Sequence, residues 1–116
     1  MTPCKRGDVV LVLFPESDLT HAKRRPALVI MADSLHTGLP QTIIAMITSN
    51  MARGGHPSRL KVKKSSSTGR AMGLLTDSVI MTDNLPTVHL SEIDQVMGHC
   101  PDMPRVEESL RHTFSL

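Results

Sequence analysis

Tryptophan and tyrosine are absent from this 116-residue chain, and phenylalanine occurs only at Phe14 and Phe114. A nucleic-acid surface built on stacked aromatic platforms is therefore excluded. The core must come from Val, Ile, Leu and the eight Met. Cysteine is scarce as well: Cys4 and Cys100 lie near opposite ends without paired spacing, which reads as free thiols in a cytoplasmic protein. None of the six histidines belongs to a His-x-x-x-His or Cys-x-x-Cys set, so no metal and no cofactor are expected. The first twenty residues hold no apolar signal region, and the longest apolar runs fall far short of a bilayer span, which removes membrane roles.

What is present is enough for one domain over residues 1–116 with a single core. The formal net charge of +2 conceals an asymmetry: residues 1–70 carry eleven Lys/Arg against four Asp/Glu, and residues 71–116 carry two against seven. The front of the chain is thus the part suited to a polyanion.

Read along the chain, Asp8 to Phe14 is an apolar run stopped by Pro15, as in a buried strand. A polar loop over residues 16–23 leads to a second strand, Arg25 to Met31. A turn-rich stretch from Ala32 to Gln41 joins it to a third, Thr42 to Thr48. Arg59-Leu60-Lys61-Val62-Lys63 alternates as a strand with Leu60 and Val62 inward. Ser65 to Gly69 reads as a mobile loop, and Asp77 to Thr82 and Thr87 to Leu90 as further strands. Ser91 with Asp94 predicts a short helix through Met97, ended by Gly98. A second helix starts at Asp102 and places Met103, Val106, Leu110 and Phe114 on one face. The expected class is α+β, mainly β, with a curled sheet.

Four pieces stand out in order: Lys5-Arg6-Gly7-Asp8-Val9-Val10, then Arg24-Arg25-Pro26-Ala27-Leu28-Val29-Ile30, then Ile47-Thr48-Ser49-Asn50, then Gly73-Leu74 with Asp77-Ser78-Val79-Ile80. With them the chain resembles the MazF/PemK (Kid-like) toxins of bacterial toxin–antitoxin systems. The resemblance implies an SH3-like small barrel with a short helix and a C-terminal helix. It also implies a sequence-selective, metal-independent endoribonuclease that cuts single-stranded mRNA to a cyclic phosphate and a 5′-hydroxyl. Implied partners are single-stranded RNA, a cognate antitoxin and a second copy in a homodimer. The related CcdB toxins, which poison gyrase and cut nothing, supply the alternative: a non-catalytic binding module, or a degraded RNA-binding PemK-like domain.

Cleavage of this kind requires a proton to leave the 2′-oxygen, a proton to reach the 5′-oxygen, and charge on the phosphorane to be stabilised. Arg25 suits the last role, because a guanidinium fork holds two phosphate oxygens and stays charged. If strands two and three are antiparallel neighbours with Met31 facing Thr42, Arg25 faces Thr48 on the same side of the sheet. The resemblance makes Arg25 catalytic with Thr48 as its partner. His21 is the candidate for proton transfer, since imidazole titrates near neutral pH and its loop leads into Arg25. The family's first loop commonly carries an acidic residue and glycines, whereas this chain has Leu19-Thr20-His21-Ala22-Lys23. Arg24, Ser49, Asn50, Arg59, Lys61, Lys63 and Asp77 complete the candidate RNA-contacting set. Lysines on an edge strand also deter strand pairing, and a strand-start Asp also satisfies backbone groups.

Overall fold

A computed structural model describes residues 2–15 and 22–116. Seven strands and two helices follow one another as β1 (Asp8–Pro15), β2 (Ala22–Val29), β3 (Gln41–Thr48), β4 (Arg59–Val62), α1 (Ser67–Met72), β5 (Ser78–Met81), β6 (Thr87–His89), β7 (Ile93–His99) and α2 (Met103–Phe114). Short 3-10 turns occupy Met51–Arg53 and Leu90–Glu92. The strands pair antiparallel in the order β4-β5-β3-β2-β1-β7, and β6 pairs with the other end of β3.

Side-chain alternation divides the core between the two faces of this sheet. Val9, Leu28, Ala45, Ile47, Val62 and Ile80 lie on one face, beneath Met72 of α1, Leu74 and Val106 of α2. Val10, Val12, Ala27, Val29, Ile44, Met46, Val79 and Met81 lie on the other, covered by Val88 of β6 and by Ile93. Every strand buried on both faces is Val/Ile/Leu/Met-rich, as a chain with only two aromatic residues requires.

The sheet of the expected small-barrel fold is not closed among the described residues, because β4 and β7 end the path and do not pair with each other. Helix α1, which follows β4 in the chain, packs on β7. A Cβ on Gly98 of β7 would overlap the Ala71 carbonyl oxygen, and one on Gly73 would overlap the Met97 carbonyl oxygen, so helix and strand meet backbone to backbone. The same helix replaces the mobile loop expected at Ser65–Gly69. Ser66 Oγ accepts from the Gly69 amide at 2.9 Å and donates to the Lys63 carbonyl at 2.6 Å, which makes the serine run a helix cap.

The helix expected at Ser91–Met97 is instead strand β7. Its register on β1 passes from Val9↔Gly98 to Val10↔Val96 and from Leu11↔Gln95 to Val12↔Ile93, so Met97 and Asp94 are bulge residues. Two bulges convert the alternation of a strand into apolar residues at 93, 96 and 97, a helical spacing. His89 caps the preceding 3-10 turn, accepting from the Ser91 amide while Glu92 accepts from the His89 amide. Asp102 sits at the N-cap of α2 without a side-chain capping bond, and Pro104 occupies the first turn.

Gly73 combines a left-handed φ of 73° with the close approach to Met97. Gly73→Ala should therefore cost about 2–4 kcal/mol, more than left-handed strain alone. Urea unfolding would show a lowered midpoint with an unchanged slope, and a loss under about 0.5 kcal/mol would remove the α1–β7 contact from this account.

Candidate active site

The β2–β3 ladder runs Ala27↔Met46, Leu28↔Ala45, Val29↔Ile44. Carried two residues outward, that offset brings Arg25 opposite Thr48, the register assumed from sequence. The ladder itself stops short of them, for a reason that can be traced to one atom. Ile30 donates its amide to the Ile43 carbonyl, so residues 30, 28 and 26 aim their N–H groups at β3. Residue 26 is a proline and has none. Beyond it β2 stays with β1, pairing Pro26 with Leu11 and Arg25 with Val12, while β3 stays with β5, pairing Ile47 with Ile80 and Thr48 with Val79. The two halves of the sheet separate.

A groove of about 710 Å³ opens along this split. Lys23, Arg24, Arg25 and Pro26 form one wall, Thr48, Ser49 and Arg53 the other, and Phe14, Met46, Met81 and Met97 contribute apolar floor. Four lining residues are cationic, and no Asp or Glu lines the groove among the described residues. Such a cleft concentrates anions.

The cations are not equivalent. Arg24 is paired with Asp94, the bulge residue of β7, at 2.7 Å. The guanidinium groups of Arg25 and Arg53 make no hydrogen bond or ion pair among the described residues and remain exposed. Thr48 Oγ1 accepts the Asn50 amide at 3.1 Å, and Asn50 Oδ1 accepts the Ala52 amide at 3.2 Å, capping the 3-10 turn. These two bonds fold the end of β3 back on itself. With one lone pair of Oγ1 engaged, the Thr48 hydroxyl proton is free to be donated to an acceptor in the groove.

The other sequence candidates fall into separate groups. Ser49 lines the groove, and Asn50 shapes it through its cap. Arg59 is tied to Asp83 at 2.8 Å and to the Arg53 carbonyl at 3.2 Å. Lys61 and Lys63 are exposed on the sheet-edge strand β4 and its continuation, outside the groove. Asp77 is exposed and accepts the Lys64 amide at 3.0 Å, a backbone-satisfying position beside the groove, which its neighbours Thr76 and Ser78 line. His21 lies outside the described residues. Arg53 and Asn84, which line the groove, carried no sequence signal beyond a turn: Arg53 reaches the site only because Asn50 turns the chain after Thr48.

Cys100 points into the core and its neighbour His99 turns to Asp8 at 3.1 Å. Burial pushes the thiols of Cys4 and Cys100 up, away from a reactive thiolate. Among the described residues no three His, Cys, Asp or Glu side chains converge as metal ligands, and no helix is long and apolar enough to cross a membrane.

The hydrogen bond from Arg59 holds the Asp83 carboxyl below the usual carboxylate range. A carboxylate with a lowered folded pKa stabilises the fold above its ordinary value of about 4, and that contribution disappears as pH falls through the folded value. Asp83→Asn should thus lower the thermal midpoint near neutral pH, with the difference from the parent shrinking as pH is taken down to about 2. Melting curves at the two pH values check this; an equal loss at both would show that the charge is not what stabilises.

The model of the PemK-like, MazF-like toxins of type II toxin–antitoxin systems matches residues 5–114. Among curated relatives, "Endoribonuclease EndoA" of Bacillus subtilis is 28% identical over 115 residues, covering 97% of this chain and 95% of its own. "Endoribonuclease MazF6" of Mycobacterium tuberculosis is 31% identical over 107 residues, covering 90% of each. Among solved structures, a mycobacterial endoribonuclease in complex with its cognate antitoxin superimposes with a TM-score of 0.72 at 20% identity, over 98% of this chain and 97% of that one. MazE-MazF from Deinococcus radiodurans does so with a TM-score of 0.72 at 17% identity, over 97% of each. With a match that leaves out only the chain's extreme ends, this protein belongs to the PemK-like, MazF-like toxin family of type II toxin–antitoxin systems.

Proposed function

We propose that the chain, as one toxin domain over residues 1–116, is a sequence-selective endoribonuclease that cleaves single-stranded mRNA in the cytoplasm and is neutralised by a cognate antitoxin. The observation that carries this reading is the cationic groove at the sheet split, lined by no carboxylate among the described residues and shared by Arg25 and Thr48. In the step proposed, the 2′-oxygen bonds to the adjacent phosphorus and the P–O5′ bond breaks. The products are a 2′,3′-cyclic phosphate and a 5′-hydroxyl. Arg25 accompanies the charge that builds on the non-bridging oxygens, and the Thr48 hydroxyl donates to one of them. Neither group is a suitable general base, since a guanidinium stays protonated and a neutral alcohol is too weak a base. His21 is proposed to move the protons.

No part of this scheme draws on a metal ion, and metal independence is part of the proposal. The partners proposed are RNA, an antitoxin and a second copy of the chain. Relatives solved together with antitoxins support the second. A gyrase-poisoning module would need an apolar face on its C-terminal helix free to dock. In α2 most of that face is already used, because Val106 is buried and Met103 and Leu110 pack on the core, while Phe114 at its end stays exposed.

Purified protein incubated with mixed-sequence single-stranded RNA in EDTA should yield cyclic-phosphate ends and leave duplex RNA uncut; an absolute requirement for divalent metal would overturn the scheme. Arg25→Ala should lower kcat about 100-fold or more while RNA binding falls modestly, because the lost interaction belongs to the transition state. Thr48→Val should lose about tenfold to a hundredfold, the range for one positioned donor. Full activity in Arg25→Ala would dispose of the site. His21→Ala should abolish the inflection of the pH–rate profile in the imidazole range, and an unaltered profile would make His21 a bystander.

A further inference from the structure

We infer that Arg53 is a second phosphate-binding residue of the groove, and that the Arg59–Asp83 pair positions it instead of touching substrate itself; this rests on the ribonuclease reading above. Arg53 ends the 3-10 turn that follows Thr48, and it is the one cation on that wall of the groove among the described residues. Its guanidinium has no partner there, whereas its carbonyl is held by Arg59 Nη1 at 3.2 Å. The rest of the Arg59 fork is occupied by Asp83, with Nε on Oδ1 at 3.3 Å and Nη2 on Oδ2 at 2.8 Å. One guanidinium thus joins the turn carrying Arg53 to the turn after β5, whose next residue, Asn84, also lines the groove. Asn84 is itself fixed to β3, accepting the Met46 amide at 3.0 Å.

The arrangement makes Arg59 a brace between two turns that line the groove. A guanidinium with its fork committed to a carboxylate and a carbonyl has little capacity left for phosphate. Arg53 has its full capacity among the described residues, and it lines the same groove as Arg25. A backbone phosphate next to the scissile one is the group of matching charge on a single-stranded substrate.

The test compares Arg53→Ala, Arg59→Ala, Arg59→Lys, Asp83→Asn and the Arg53→Ala/Arg59→Ala double variant, with cleavage kinetics on mixed-sequence single-stranded RNA. Binding is read separately with 2′-O-methyl RNA, which lacks the nucleophile. Arg53→Ala should raise KM about fivefold to tenfold, with kcat changed less than about twofold, the pattern of lost uniform binding. It should also flatten the log–log salt dependence of binding by about 0.7, one single-strand phosphate contact. Arg59→Ala should reproduce this, and the double variant should be no worse than either single one. Arg59→Lys should not rescue, because an ammonium cannot span carboxylate and carbonyl as a planar fork does. Asp83→Asn breaks the brace from its other end and should move KM the same way, which keeps the test alive if Arg59→Ala fails to fold.

Additive losses in the double variant, with the slope falling by about 1.4, would show that Arg59 contacts RNA directly and overturn the inference. So would wild-type KM in Arg53→Ala, or a fall in kcat at constant KM in the Arg59 variants. A wild-type protein that neither binds nor cuts RNA would instead refute the ribonuclease reading itself.

Discussion

Everything distinctive about the groove depends on one hydrogen bond that cannot form. Residues 26, 28 and 30 of β2 direct their amides at β3, and at residue 26 the side chain is a ring closed on that nitrogen. A single missing donor would matter little inside a long ladder. Here it falls where β3 has another partner in β5 and β2 has another in β1, so each strand keeps one neighbour and loses the other. The sheet divides without leaving either half unsupported, and residues on facing positions become opposing walls.

Charge is then sorted by ion pairing. Arg24 and Arg59 each face a carboxylate from a later part of the chain, Asp94 and Asp83, and in both cases the pair ties two elements together. Arg25 and Arg53 have no such partner among the described residues. The acidic excess of residues 71–116 is therefore more than a counterweight to the basic front. It neutralises selected arginines and, among the described residues, leaves Arg25 and Arg53 without a carboxylate partner.

Much of this could be read from the sequence, and the failures share a cause. Strands β1, β3 and β5 were legible because buried strands of Val, Ile and Met form short apolar runs bounded by turn residues. The offset assumed for β2 and β3 is the one the ladder has, although the ladder ends before Arg25 and Thr48. What could not be read depended on contacts distant in sequence. The bulges at Asp94 and Met97 exist only against β1, and without β1 in view their residues have helical spacing. The role of Ser66 as a cap requires knowing that α1 has a strand to pack on. Arg59 looked like one of three outward charges on an alternating strand, and nothing local indicates that Asp83, far along the chain, takes up its fork.

Helix α1 gives the sheet an unusual seam. Elsewhere neighbouring strands are joined by hydrogen bonds, and a ladder frays gradually from its end. At the margin of β7 the join is a short helix seated on glycines, and a joint of that kind is either seated or not. Amides along that margin should then exchange with solvent at a common rate, set by the departure of α1 as a unit. The same excursion would uncover a strand margin, which is where self-association of the opened chain would begin.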